Sequence, residues 1–130
     1  MRKLIVLTLL TAAAILGQSN GDPLAVPGFD RFYNLEYNEA LAYFHAEAAR
    51  NPDSPDIHNH IAQTILYREI FRSGALESEL VTGSNPFLRR EGLNPSKADQ
   101  QEFQDSINRA LAIAESRLSK NANDTGALYA

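Results

Sequence analysis

Cysteine is absent from the chain, which excludes a disulfide framework, a thiolate nucleophile and every zinc or iron–sulfur site that needs cysteine ligands. An excess of basic residues is absent too: 12 Lys and Arg stand against 16 Asp and Glu, a formal charge of −4. A nucleic-acid binder would normally cluster Lys and Arg on one surface, so this balance argues against that partner. The chain carries no Gly-x-Ser-x-Gly elbow, phosphate loop or dinucleotide fingerprint, so the common hydrolase and nucleotide-binding signatures are missing. Sustained apolar/polar alternation is lacking, and none of the six prolines falls inside a periodic segment; both absences point away from sheet and towards an all-α chain. With 44% hydrophobic residues over 130 positions, it is too apolar for disorder, too polar for several membrane spans and long enough for one domain.

What is present begins with an address. Arg2 and Lys3 precede an apolar run over residues 4–16, interrupted only by Thr8 and Thr11, and Gly17-Gln18-Ser19 closes it with small residues at the first and third positions. A basic start, an apolar centre and a small-x-small exit form the pattern of a secretory signal peptide, here 1–19, with cleavage expected after Ser19. As a helix the run would span about 20 Å, short of a hydrocarbon core of about 30 Å. The alternative is an uncleaved segment that stays as a membrane anchor. Cleavage would remove two positive charges and leave a periplasmic or secreted protein without stable membrane insertion. Residues 20–28, with Pro23, Pro27, Gly21 and Gly28, are expected to form a linker.

Helical periodicity fills most of the remainder. Helices are expected over 29–35, 37–50, 55–72 and 96–120, with the start of another at 125–130. Ala40, Leu41, Phe44 and Ala48 share one face of the second; Ile57, Ile61 and Ile65, with Leu66 and Ile70, share one face of the third. Asn51-Pro52 ends one helix and Ser54-Pro55-Asp56 opens the next, with serine at the N-cap, proline at the first helical position and an acid near the positive end of the dipole. Ser73-Gly74 stops the third helix. Residues 74–95 are an irregular insertion. Ser96 and Asp99 are a loose capping pair for the fourth helix, with Asn94-Pro95 as an alternative start. Its expected face is Phe103, Ile107, Ala110, Leu111, Ala114 and Leu118. The residues after Asp124 are too few for an independent helix and call for a partner surface or for more chain.

Tyr37-Asn38-Glu39-Ala40-Leu41-Ala42-Tyr43-Phe44, followed by Asn51-Pro52-Asp53, resembles the second helix and closing turn of a tetratricopeptide repeat (TPR). Ala40 would allow close approach of two helices, Phe44 would plug between them and Pro52 would set the exit. Ile61, Ala62 and Ile65 fit the first helix of a following repeat, 110–124 resembles another joint, and Ala127-Leu128-Tyr129 the opening of one more. Glu47, Ala122 and His58 depart from the pattern, and the insertion breaks the repeat period of about 34 residues. The resemblance covers 29–72 and 98–130. It implies antiparallel helix pairs stacked as a short solenoid or right-handed helical array over 29–130, working in protein–protein contact. The wall that takes a protein or peptide partner would carry Asp56, Asn59, Gln63 and Tyr67, whose amides can pair with a peptide backbone. A short array also invites self-association or continuation into a longer one.

The rival class is a metal-dependent hydrolase using His45, His58 or His60 with Asp53 or Asp56. His58 and His60 are two apart, so on a helix they point about 200° away from each other and cannot grip one ion together; one of them could approach His45 across the helix pair. The histidines are otherwise expected to be solvated or capping. Glu77 with Glu79, and Arg89-Arg90 with Lys97, read as solvated charge. The expectation is an exported, non-catalytic scaffold that needs no cofactor.

Overall fold

The computed structural model describes residues 26–74 and 92–130. The expected signal segment 1–19, most of the linker, most of the insertion and Glu77, Glu79, Arg89 and Arg90 lie outside the described residues. Within them the chain forms five helices and no strand: α1 (Pro27–Tyr33), α2 (Tyr37–Arg50), α3 (Pro55–Arg72), α4 (Lys97–Lys120) and α5 (Thr125–Leu128). The fold is all-α.

The end of the expected linker is instead the start of α1. Val26 is extended at the N-cap and Pro27 opens the first turn, where a fixed φ and a missing N–H cost nothing. Gly28 is buried because α1 descends directly onto α2: a Cβ at this position would lie 2.5 Å from Tyr43 Cδ1 and 2.6 Å from Phe44 Cε1. The helix ends at Tyr33, two residues before the expected stop. Leu35 there adopts φ 64°, its N–H donating to Phe32 O at 3.1 Å while that of Glu36 donates to Arg31 O at 2.9 Å. This is a Schellman closure with leucine in the left-handed position that glycine usually takes.

Both bounds of α2 and α3 follow the sequence cues. Ser54 occupies the N-cap of α3 without a side-chain capping bond, and Pro55 is buried at the first helical position. At the other end Gly74, at φ 69°, donates to Phe71 O at 2.9 Å. The two helices pack as an antiparallel pair on the residues expected to join them. Ala40 is fully buried, and Phe44, Ile61 and Ile65 are each 2% exposed. They form one cluster with Phe29, Phe32, Tyr37 and Leu41. Each large side chain removed from water here contributes roughly 1.5–3 kcal/mol.

α4 starts where the capping pair places it, with Ser96 Oγ accepting from the Asp99 N–H at 3.0 Å. Its buried face is Ser106, Ala110, Ile113 and Ala114. Leu111, expected inside, is 56% exposed. The helix is rolled towards its small residues, which let it lie close against α3, and periodicity alone does not fix that roll. Arg68 binds α3 to both neighbours, donating to Asn38 Oδ1 at 3.2 Å and pairing with Asp99 Oδ1. Glu69, 8% exposed, also takes Arg72 Nη1 at 2.7 Å. This cluster joins the C-terminal end of α3 to the N-terminal end of α4.

α5 is a single turn docked on α4. Arg117 reaches Asp124 with two parallel bonds of 2.9 and 2.8 Å, Asp124 Oδ1 accepts from the Ala127 N–H at 3.1 Å, and Ala127 is buried. α3 therefore stands at the centre: it packs along α2 and α4, meets α1 through ring contacts and meets α5's end through Asn59, whose Nδ2 donates to Ala130 O at 2.7 Å.

Candidate functional site

The positions expected to form a binding wall fall on the side of α3 that α2 and α4 do not cover. Asp56, in the first turn, and Gln63 are exposed. Asn59 is half-buried and its side-chain amide already holds a main-chain carbonyl, that of Ala130. Tyr67 is 37% exposed, with its ring 5.2 Å from that of Phe32. Gln63 thus lies between α1 on one side and the end of α5 on the other. The structure brings the four residues onto one stripe but leaves their functional groups apart, pointing to a surface and not to a pocket.

Periodicity did not bring one further member of this surface into view. Tyr33, at the end of α1, is 61% exposed and stacks on Phe29 with centroids 6.2 Å apart. Leu66, counted on the apolar face of α3, is 38% exposed and lines a separate cleft with Leu93, Phe103 and Gln104. A tyrosine that ends a short helix, with no apolar residue three or four positions on in the same helix, was the available signal for Tyr33.

A second concavity, of about 560 Å³, opens on another side of α3, between α2 and α4, and is lined by His45, Ala48, His58, Ile61, Glu102, Asp105, Ser106 and Arg109 among others. Here the histidines separate. His45 is exposed and its Nε2 lies 2.8 Å from Glu102 Oε1. His58 does approach His45, as the sequence allows, but it is half-buried and its Nε2 has no hydrogen-bond partner. His60 turns the other way, its ring 4.7 Å from that of Phe29 and 5.3 Å from that of Phe44. Neither His58 nor His60 is the solvated or capping residue expected. Burial holds both imidazoles below the usual histidine pKa of 6.5; Arg109 and His45 push His58 down further, while Asp56 opposes the shift at His60.

The chemistry available to these groups is narrow. Asp53 lies in a different cleft, beside Arg109, Ile113 and Arg117, and Asp56 is exposed. His45 and His58 thus share a groove that neither Asp53 nor Asp56 lines, and among the described residues no group of three or more His, Asp or Glu could hold a metal ion. Ser106 lines the groove with His58, yet the unpartnered His58 Nε2 makes no bond to its hydroxyl, so the pair lacks the nucleophile–base hydrogen bond that activation needs. No helix of the described residues is long and apolar enough to cross a membrane.

No protein-family model, curated protein or solved structure matches the chain.

Proposed function

We propose that the protein is an exported, TPR-like helical scaffold that binds an extended peptide segment of a partner protein across α1, α3 and the end of α5. The observation that carries this reading is the stripe Asp56–Asn59–Gln63–Tyr67. Asp56 and Gln63 stay uncovered between Asn59, held by Ala130, and Tyr67, packed on Phe32, while the opposite positions of the same helix, Ile61 and Ile65, are buried in the core. The alternation of small and aromatic joints at Ala40 and Phe44, and the placing of α1 and α5 on either side of α3, support the repeat-like arrangement. The Asn59 amide on the Ala130 carbonyl is the kind of bond that such a wall would make to a peptide backbone. Main-chain gripping of this sort tolerates sequence variation, and exposed tyrosines add apolar area with few rotors to immobilise.

Two measurements test this. Selection from a random peptide display library against the full chain should return binders whose affinity falls about five- to tenfold in Gln63→Ala, since one lost hydrogen bond at about 1–1.5 kcal/mol is worth that factor. Failure to select any binder, or binders indifferent to Gln63, would contradict the wall. For the export part of the proposal, N-terminal sequencing of the protein from its producing cell should read Asn20 first; Met1 would contradict cleavage.

A further inference from the structure

The groove between α2 and α4 contains a titratable wedge that peptide binding on the other side of α3 does not use. His58 projects from α3 into the groove between the two flanking helices, which the His45–Glu102 pair bridges. Its Nε2 is buried with no hydrogen-bond partner. The imidazolium carries a hydrogen on both ring nitrogens, so the charged form needs an acceptor at that buried atom which the neutral ring can do without.

Every element packed around this nitrogen presents charge. α2 presents His45; α4 presents Glu102, Asp105 and Arg109; the turn before α3 carries Asp53 beside Arg109. The two groove carboxylates are already engaged, Glu102 with His45 at 2.8 Å and Asp105 with the Gln101 amide at 2.9 Å. The fixed charge that acts on His58 is that of Arg109. A proton on Nε2 would therefore be a buried cation without an acceptor facing a guanidinium, and such a group is relieved only by reaching water or a carboxylate.

We propose that His58 makes the α2–α4 groove acid-sensitive: its protonation parts α4 from α2, and its return to the neutral form closes the groove again. Glu102 and Asp105 line the same groove and become the acceptors once the packing loosens. The device is independent of the peptide wall, because none of its groups lies on the exposed stripe of α3.

The test uses the absence of cysteine, which allows a unique label pair on the exposed Ala46→Cys in α2 and Gln104→Cys in α4 of the full chain. Spin-label distances between them should lengthen and broaden on moving from about pH 7.5 to about pH 5 and should return on neutralisation. In His58→Gln, whose amide is polar but cannot titrate, the distance should be the same at both values. An unchanged distance in the parent protein, or an equal lengthening in His58→Gln, would overturn the proposal. If that variant does not fold, the His58 imidazole signal followed by NMR decides the matter. A midpoint below 6.5 that coincides with the distance change supports it, and a midpoint at or above 6.5, or one that does not track the distance, overturns it.

Discussion

The Phe44 ring stands edge-on to that of Phe29, centroids 5.4 Å apart and planes at 67°, and so couples α2 to α1 at the point where both meet α3. Removing the ring leaves a cavity that three helices would have to collapse to fill. Phe44→Ala should therefore lower stability by about 3–5 kcal/mol. Denaturant unfolding of the two proteins measures this, and a loss below about 1 kcal/mol would mean that the joint does not depend on that ring.

Gly28→Ala is a sharper probe of the same joint. The added methyl would lie 2.5 Å from Tyr43 Cδ1 and 2.6 Å from Phe44 Cε1, and neither ring is the free end of a flexible chain. Overpacking of this kind costs about 1–3 kcal/mol, although alanine is otherwise the better helix former. Thermal melting should show the loss; a gain in stability would mean that α1 does not press on α2.

Acid should destabilise the fold through His58 and His60. His58 and His60 bind protons less readily when folded than at the ordinary histidine pKa of 6.5, so the unfolded chain holds more protons through this window and stability rises with pH. It is fully present above 6.5, declines as pH falls below that value and levels off once the folded imidazoles are themselves protonated. The melting temperature should drop between about pH 7.5 and pH 5.5, and the drop should shrink in His60→Gln. A rise on acidification would reverse the sign of the account.

At the other end, α5 depends on Asp124. The hydrogen bond from Arg117, with a lesser one from the Ala127 N–H, holds its carboxyl below the usual aspartate value of 3.8. Asp124→Ala, which removes both the partner of Arg117 and the acceptor of the Ala127 N–H, should therefore expose the Ala127 amide to faster hydrogen exchange while leaving α2 and α3 protected. The same contact should weaken in the native protein as pH falls below about 3.8. Unchanged exchange at Ala127 would show that α5 is held by something else.

Much of the fold was legible because its boundaries are chemical. Pro52 and Pro55 punctuate the α2–α3 turn, Ser73-Gly74 and Ser96 with Asp99 act locally, and Ala40, Phe44, Ile61 and Ile65 are spaced to meet. Rotation and reach were not legible. Pro27-Gly28 reads as a breaker pair until Tyr43 and Phe44 are seen beneath it, since the need for glycine arises from a neighbour more than a dozen positions away. Leu111 and Ile113 are equally apolar, and only contact with α3 and α5 decides which faces inward. The stripe from Asp56 to Tyr67 was readable as one side of a helix, whereas Tyr33 joined it through α1's docking. His58 and His60 could be told apart by angle, but not the orphaned nitrogen of one or the two phenyl rings around the other.

The central claim is that the uncovered side of α3 is a binding wall. The most direct measurement is a backbone NMR footprint of the full chain titrated with a peptide selected from a random display library. The account predicts shift changes concentrated at Tyr33, Asn59, Gln63 and Tyr67, with the exposed side of α4 unmoved. Changes centred on His45, Glu102 and Arg109, with Gln63 silent, would contradict it.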